Sequence, residues 1–170
     1  MVLFYIAATV CLVATSLVIT RSVASHALIY LIVSLLSVAV IFFLLGAPFA
    51  AALEIVIYAG AIMVLFVFVV MMLNLGPRRG PEERARLAPR HWIGPGLLSF
   101  VLLLELAYIL FGGTSTSSGV AVGPTEVGIA LFGPYLIAVE LASVLLLAAL
   151  VGAYHLGRRY LRSRREEEQP

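Results

Sequence analysis

Residues 54–75, EIVIYAGAIMVLFVFVVMMLNL, constrain the fold of this chain more than any other stretch. The run is long and apolar enough to cross a bilayer, which takes about 20 residues of helix. Crossing alone does not call for Glu54 near one end, for Gly60 between Ala59 and Ala61, or for the Met71-Met72 pair at the other. A carboxylate at the bilayer centre costs roughly 2.5–3.5 kcal/mol on insertion scales, and a glycine weakens a helix by about 1 kcal/mol. A plain anchor of Leu, Ile and Val carries neither cost. This helix is therefore expected to press polar and small groups against neighbouring helices.

With 62% hydrophobic and 12% charged residues over 170 positions, the chain belongs to the membrane class and a soluble core is excluded. The hydropathy pattern predicts an all-α polytopic membrane protein in one transmembrane domain. Its five helices are placed at about residues 2–20, 27–46, 51–73, 93–111 and 135–155. The Gly46-Ala47-Pro48 turn is too short for anything but an antiparallel hairpin between the second and third. Residues 76–90 and 112–133 read as loops and 158–170 as a solvated, charge-rich tail. Within the second loop Thr125 is the expected cap of a short helix, and Pro134 is expected in the first turn of the last span. The N-terminal run lacks the basic leader of a signal peptide and reads as a retained first helix.

Every basic residue is arginine. Alternating five spans puts all eleven on one side: Arg21, the group from Arg78 to Arg90, and the group from Arg158 to Arg165. The positive-inside rule makes that side cytoplasmic, with the N-terminus outside and the C-terminus inside. The arginines are split between juxtamembrane segments without a folded basic domain or interleaved aromatics, so the net charge of +2 points to lipid headgroups and orientation, not to nucleic acid. Cys11 is the lone cysteine, and His26, His91 and His155 fall near the ends of different helices. Neither a metal site nor a haem site is expected from this chain alone.

The third segment, YAGAIMVLFVFVVMMLN at residues 58–74, resembles subunit J of the proton-pumping NADH:quinone oxidoreductase, respiratory complex I, and its mitochondrial counterpart, membrane subunit 6. So do HALIYLIVSLL at residues 26–36 and GIALFGPYLIAVELASVLLLAALVGA at residues 128–153. The resemblance implies a core subunit of the membrane arm in the bacterial inner membrane, beside subunits A, H and K. Its third helix would help couple quinone reduction to proton translocation. It also implies that FMN, the iron–sulfur clusters and quinone belong to the assembled complex, with no redox cofactor in this chain, which is not catalytic by itself. A related quinone reductase fed by ferredoxin or another coenzyme shares the same membrane arm and is the nearest alternative. From other classes come an independent proton-coupled transporter and a purely structural assembly protein.

The ionisable candidates inside the spans are Glu54, Glu105, Glu140 and the tyrosines, for the chain has no lysine or aspartate. All three carboxylates fall in the outer halves of their helices, so no wire across the membrane runs through them alone, which argues against an autonomous transporter. Glu54 and Tyr58, four residues apart, share a helix face that Ala61 continues, and Glu140 and Ser143 form a similar pair. For Glu54 and Glu140 a proton-linked role stands beside a structural one. Glu105 departs from the family pattern, which has an apolar residue there, and is read as snorkelling or bonded to a neighbouring helix. Gly60 permits close helix packing. By resemblance, the stretch around Tyr58 and Gly60 can also carry a π-bulge that converts to α as the enzyme changes state, with Met63 as a pliable packing residue nearby. The polar third helix disfavours a purely structural role.

Overall fold

A computed structural model describes residues 1–22, 24–73, 90–111 and 121–167. Among these residues every regular element is helical, and five helices are long and apolar enough to cross a membrane. Helix α1 covers Val2–Thr20 and α2 covers Ala24–Leu44. The third span is built from three consecutive pieces: α3 (Pro48–Leu53), a π-helical segment (Glu54–Ile62) and α4 (Met63–Leu73). Then follow α5 (Arg90–Phe111), the short α6 (Pro124–Phe132) and α7 (Leu136–Glu167). The loop expected at residues 76–90, apart from the helical Arg90, and the Gly/Ser/Thr run at 112–119 lie outside the described residues.

The chain divides into two compact units, Met1–Gly123 and Pro124–Pro170. In the first, α1 and α2 form the principal pair, with α5 and the third span laid against α2. Val10 and Ala14 from α1, Val33 from α2 and Leu102 from α5 make the buried centre, and Leu36, Val40, Leu98 and Val101 pack around it. Within a bilayer such a centre gains little from expelling water. Close van der Waals fit and interhelical hydrogen bonds hold it instead. Thr15 Oγ1 and Ser34 Oγ lie 2.8 Å apart across the α1–α2 seam, and Cys11 Sγ lies 3.6 Å from the same Ser34 Oγ. Each such bond contributes on average about 0.6 kcal/mol in a membrane protein.

The α2 end shows why the hairpin turn is so short. Gly46 takes φ 83°, a left-handed conformation that costs glycine nothing. Its N–H bonds the carbonyl of Phe43 at 3.1 Å, while the N–H of Ala47 bonds that of Phe42 at 3.0 Å. This Schellman pairing satisfies carbonyls at the helix end, and Pro48 at once opens α3 with its fixed φ. The N–H of Val122 donates to the Gly46 carbonyl at 2.9 Å, tying the segment before α6 to the same end of the hairpin.

At the opposite end of α2, Tyr30 is buried with its phenol against Gly94 of α5, where even a β-carbon would collide with the hydroxyl. The Arg21 guanidinium stands 5.4 Å from the centroid of the Tyr30 ring, a cation–π contact.

The second unit begins with Pro124 as the first residue of α6, so Thr125 sits inside the first turn and not at the cap position expected for it. Proline takes that place because its missing N–H is one that a helix start leaves unbonded anyway. Likewise Pro134 lies in the turn Gly133–Tyr135, ahead of the last span, which starts at Leu136. In that turn the N–H of Tyr135 reaches the carbonyl of Ala130 at 3.1 Å. Helix α7 runs 32 residues to Glu167, well past the apolar part that ends near Arg158.

Candidate functional site in the third span

The first of the sequence candidates, Glu54, is the residue at which α-helical bonding gives way to π bonding. Its own N–H is shared between the carbonyls of Ala50 and Ala51, four and three residues back, as is common where a helical segment ends. The wider turns continue for nine residues, EIVIYAGAI, and close where the N–H of Met63 bonds the carbonyl of Tyr58, five residues back. Most π elements are single-turn bulges inside α-helices and occur at functional sites, so a π segment of this length in a membrane span is unusual.

Gly60 lies within it. A β-carbon there would stand 3.1 Å from the carbonyl oxygen of Ile55, tighter than an ordinary van der Waals contact. The absent side chain thus admits the carbonyl that π bonding brings inward. Met63, the first α residue beyond the segment, is 3% exposed and is the anchor of this span's inner face together with the buried Ala51. Glu54 is half-buried, and Tyr58 keeps 51% of its surface exposed. Glu54, Tyr58, Gly60 and Met63 are therefore all on, or directly bordering, the π segment.

Most of this span is left uncovered by its own chain: Val56, Val64, Leu65, Phe66, Phe68, Met71 and Met72 are all exposed. Such an apolar surface meets lipid or other membrane helices. Tyr58, with a polar tip on that surface, needs a hydrogen-bonding partner wherever hydrocarbon would otherwise surround it.

Glu140 belongs to the second unit and is exposed on α7. Ser143 Oγ donates to the backbone carbonyl of Glu140 at 2.7 Å, so the anticipated pair is a side-chain-to-backbone bond that leaves the carboxylate uninvolved. Glu105 behaves unlike either reading given to it from sequence. It is 4% exposed, hence not snorkelling, and neither of its carboxylate oxygens has a hydrogen-bond partner among the described residues. Nothing in the local sequence LLLELAY announces this burial. It follows from the packing of α5 against α1 and α2.

Five apolar helices, one of them carrying a nine-residue π segment that contains a carboxylate and a phenol and ends at a buried methionine, define a polytopic membrane protein. Comparison with known proteins narrows the class. Residues 14–156 match the family model described as NADH-ubiquinone/plastoquinone oxidoreductase chain 6. NADH-quinone oxidoreductase subunit J of Pseudomonas aeruginosa is 60% identical over 161 residues, covering 92% of this chain and 95% of the relative. Subunit J of Escherichia coli is 54% identical over 156 residues, covering 91% and 85%, and that of Buchnera aphidicola from Acyrthosiphon pisum is 51% identical over 155 residues, covering 91% of each. The chain belongs to the NADH-ubiquinone/plastoquinone oxidoreductase chain 6 family.

Proposed function

We propose that this chain is the J-type membrane subunit of a proton-translocating NADH:quinone oxidoreductase, and that its third span couples quinone reduction to proton movement. Membership of the family and near full-length likeness to three J subunits support the first part. The nine-residue π segment carries the second.

A π turn holds one more residue per hydrogen-bonded ring than an α turn. Converting a π turn to α therefore rotates everything beyond it by about 100°, the angular step of one helical residue, relative to everything before it. With Glu54 at the start of the segment and Phe66, Val67 and Val70 beyond its end, such a conversion swings an apolar face past the carboxylate. Apolar side chains rotated into an interhelical gap exclude water, and rotated away they admit it. A water path that opens and closes in step with quinone chemistry is what coupling requires of this subunit. Glu54 and Tyr58 supply polar groups at the edge of that path, Gly60 the room for the inward carbonyl, and Met63 a buried contact able to re-pack.

The N-terminus lies outside and the C-terminus in the cytoplasm of a bacterial inner membrane, following the arginine asymmetry. The exposed faces of the third and last spans meet other membrane subunits, with A, H and K the neighbours that the family resemblance indicates. FMN, the iron–sulfur clusters and the quinone site belong to other parts of the assembled complex and not to this chain. Affinity purification of the tagged chain in mild detergent tests the assignment: NADH-oxidising flavin and iron–sulfur subunits should co-purify. Recovery with a ferredoxin-oxidising set instead would replace the electron donor, and recovery alone from membranes rich in the complex would refute the subunit role.

A further inference from the structure

Glu105 stands outside the coupling proposal, yet it is the most buried carboxylate among the described residues of the chain. Its place can be read from the packing around it. Val10, Val33 and Leu102 touch at the centre of the first unit. Ala7 is three residues from Val10, Ser37 four from Val33 and Glu105 three from Leu102, each about one helical turn from its neighbour in the central contact. Successive spans alternate in direction, so α1 runs opposite to α2 and α5, and all three steps lead toward the same side of the membrane. Ala7 and Ser37 are 0% exposed and Glu105 is 4% exposed. The layer beyond the central contact thus sets a large carboxylic side chain opposite two small ones.

Both oxygens of Glu105 are sealed by its own chain before any neighbouring subunit is added, and both are without a hydrogen-bond partner among the described residues. An unmet buried polar group costs about 1–3 kcal/mol, and native proteins answer such groups with a protein donor or an ordered water. Ser37 spends its one hydroxyl proton on the carbonyl of Ser34, at 2.6 Å, which leaves its oxygen free to accept but not to donate. Two buried acceptors on the same side of the central contact, each shielded from outside, call for a small molecule that donates twice.

We propose that Glu105 and Ser37 hold an internal water between α1, α2 and α5, a hydration site in the first unit distinct from the π segment. Water fits because it donates to the carboxyl and to the serine oxygen at once, and two to four polar partners are what an internal water needs. A neighbouring subunit does not fit, since the carboxyl is closed off within this chain. The site gives the first unit a polar group in contact with exchangeable protons. It does not depend on the π-to-α conversion, though its test uses the complex assigned above.

Maps of the assembled complex that resolve internal waters, for the natural chain and for Glu105→Val, decide the matter. Density bridging the Glu105 carboxyl and Ser37 Oγ is expected in the first and should be lost in the second. A dry carboxyl in the natural complex, or a protein donor bonded directly to each of its oxygens, overturns the proposal. The natural map alone suffices should the variant fail to assemble. A complex that forms without this chain would instead tell against the subunit assignment.

Discussion

Replacing Gly60 by valine should bias the third span against its π form. In that form a β-carbon at position 60 stands 3.1 Å from the Ile55 carbonyl oxygen, the acceptor position of π bonding, and valine adds two γ-methyl groups to that crowding. Forcing side-chain atoms against that backbone oxygen costs, by analogy with overpacking, about 1–3 kcal/mol. In an α turn the carbonyl five residues back is no longer the bonding partner, and valine is a better α former than glycine by some tenths of a kcal/mol. Both effects point the same way. A bias of about 1–3 kcal/mol shifts a two-state balance by roughly 5- to 150-fold. Proton uptake by inverted vesicles during NADH:quinone turnover should therefore fall at least about fivefold, while NADH oxidation by an artificial acceptor and the amount of assembled complex stay near their normal levels. Gly60→Ala, which needs a shift of only a few tenths of an ångström, should lose far less. A fully assembled Gly60→Val complex pumping with normal stoichiometry would falsify the coupling argument.

Other consequences are open to separate tests. Single cysteines at Ser117 and Ser163, in a chain with Cys11 replaced, should react with membrane-impermeant reagents from the outer and cytoplasmic sides respectively; labelling of both from outside reverses the topology. Glu54→Gln and Glu140→Gln should each retain substantial pumping, because both carboxylates lie off the membrane centre and neither completes a path. Abolished pumping in either, with assembly intact, would make that carboxylate indispensable. Gly94→Ala should lower the thermal-inactivation midpoint of the complex by the equivalent of about 1–3 kcal/mol through collision with the Tyr30 hydroxyl, and Tyr30→Phe should recover part of that loss. Equal midpoints for Gly94→Ala with and without Tyr30→Phe would show that the two residues do not meet.

The helical architecture was legible in the sequence because a bilayer imposes a strong and simple rule: backbone polar groups must bond within the span, and apolar runs of the right length become helices. The Gly46-Ala47-Pro48 turn was equally legible, since a left-handed glycine followed by a helix-opening proline is a local device with a local signature. The boundaries at Thr125 and Pro134 are less legible. There a proline start and a three-residue turn compete with side-chain capping, and the sequence does not rank them.

The site was legible in part. Glu54, Tyr58, Gly60 and Met63 stood out as residues that a plain anchor lacks, and they border one π segment. The form of the segment came only through family resemblance, because the periodicity of an almost wholly apolar run does not separate α from π. The burial of Glu105 is hidden in the sequence for a different reason. A carboxylate near the end of a span ordinarily reaches for the interface, and only the packing of α5 against α1 and α2 shows that this one is enclosed. The hydrogen bonds of Ser34 with Thr15 and Cys11 escaped notice likewise, since the partners are far apart in the chain and carry no common motif.

The most direct test of the coupling account is a set of structures of the assembled oxidoreductase carrying this chain, at rest and during turnover with NADH and quinone, at a resolution that defines backbone hydrogen bonds in the third span. Coupling through this span requires π bonding across residues 54–62 in one state and α bonding through Tyr58 and Gly60 in another, with Phe66, Val67 and Val70 rotated by about 100° relative to Glu54. One unchanged bonding pattern through the span in every state would contradict it and leave Gly60 with a packing role alone.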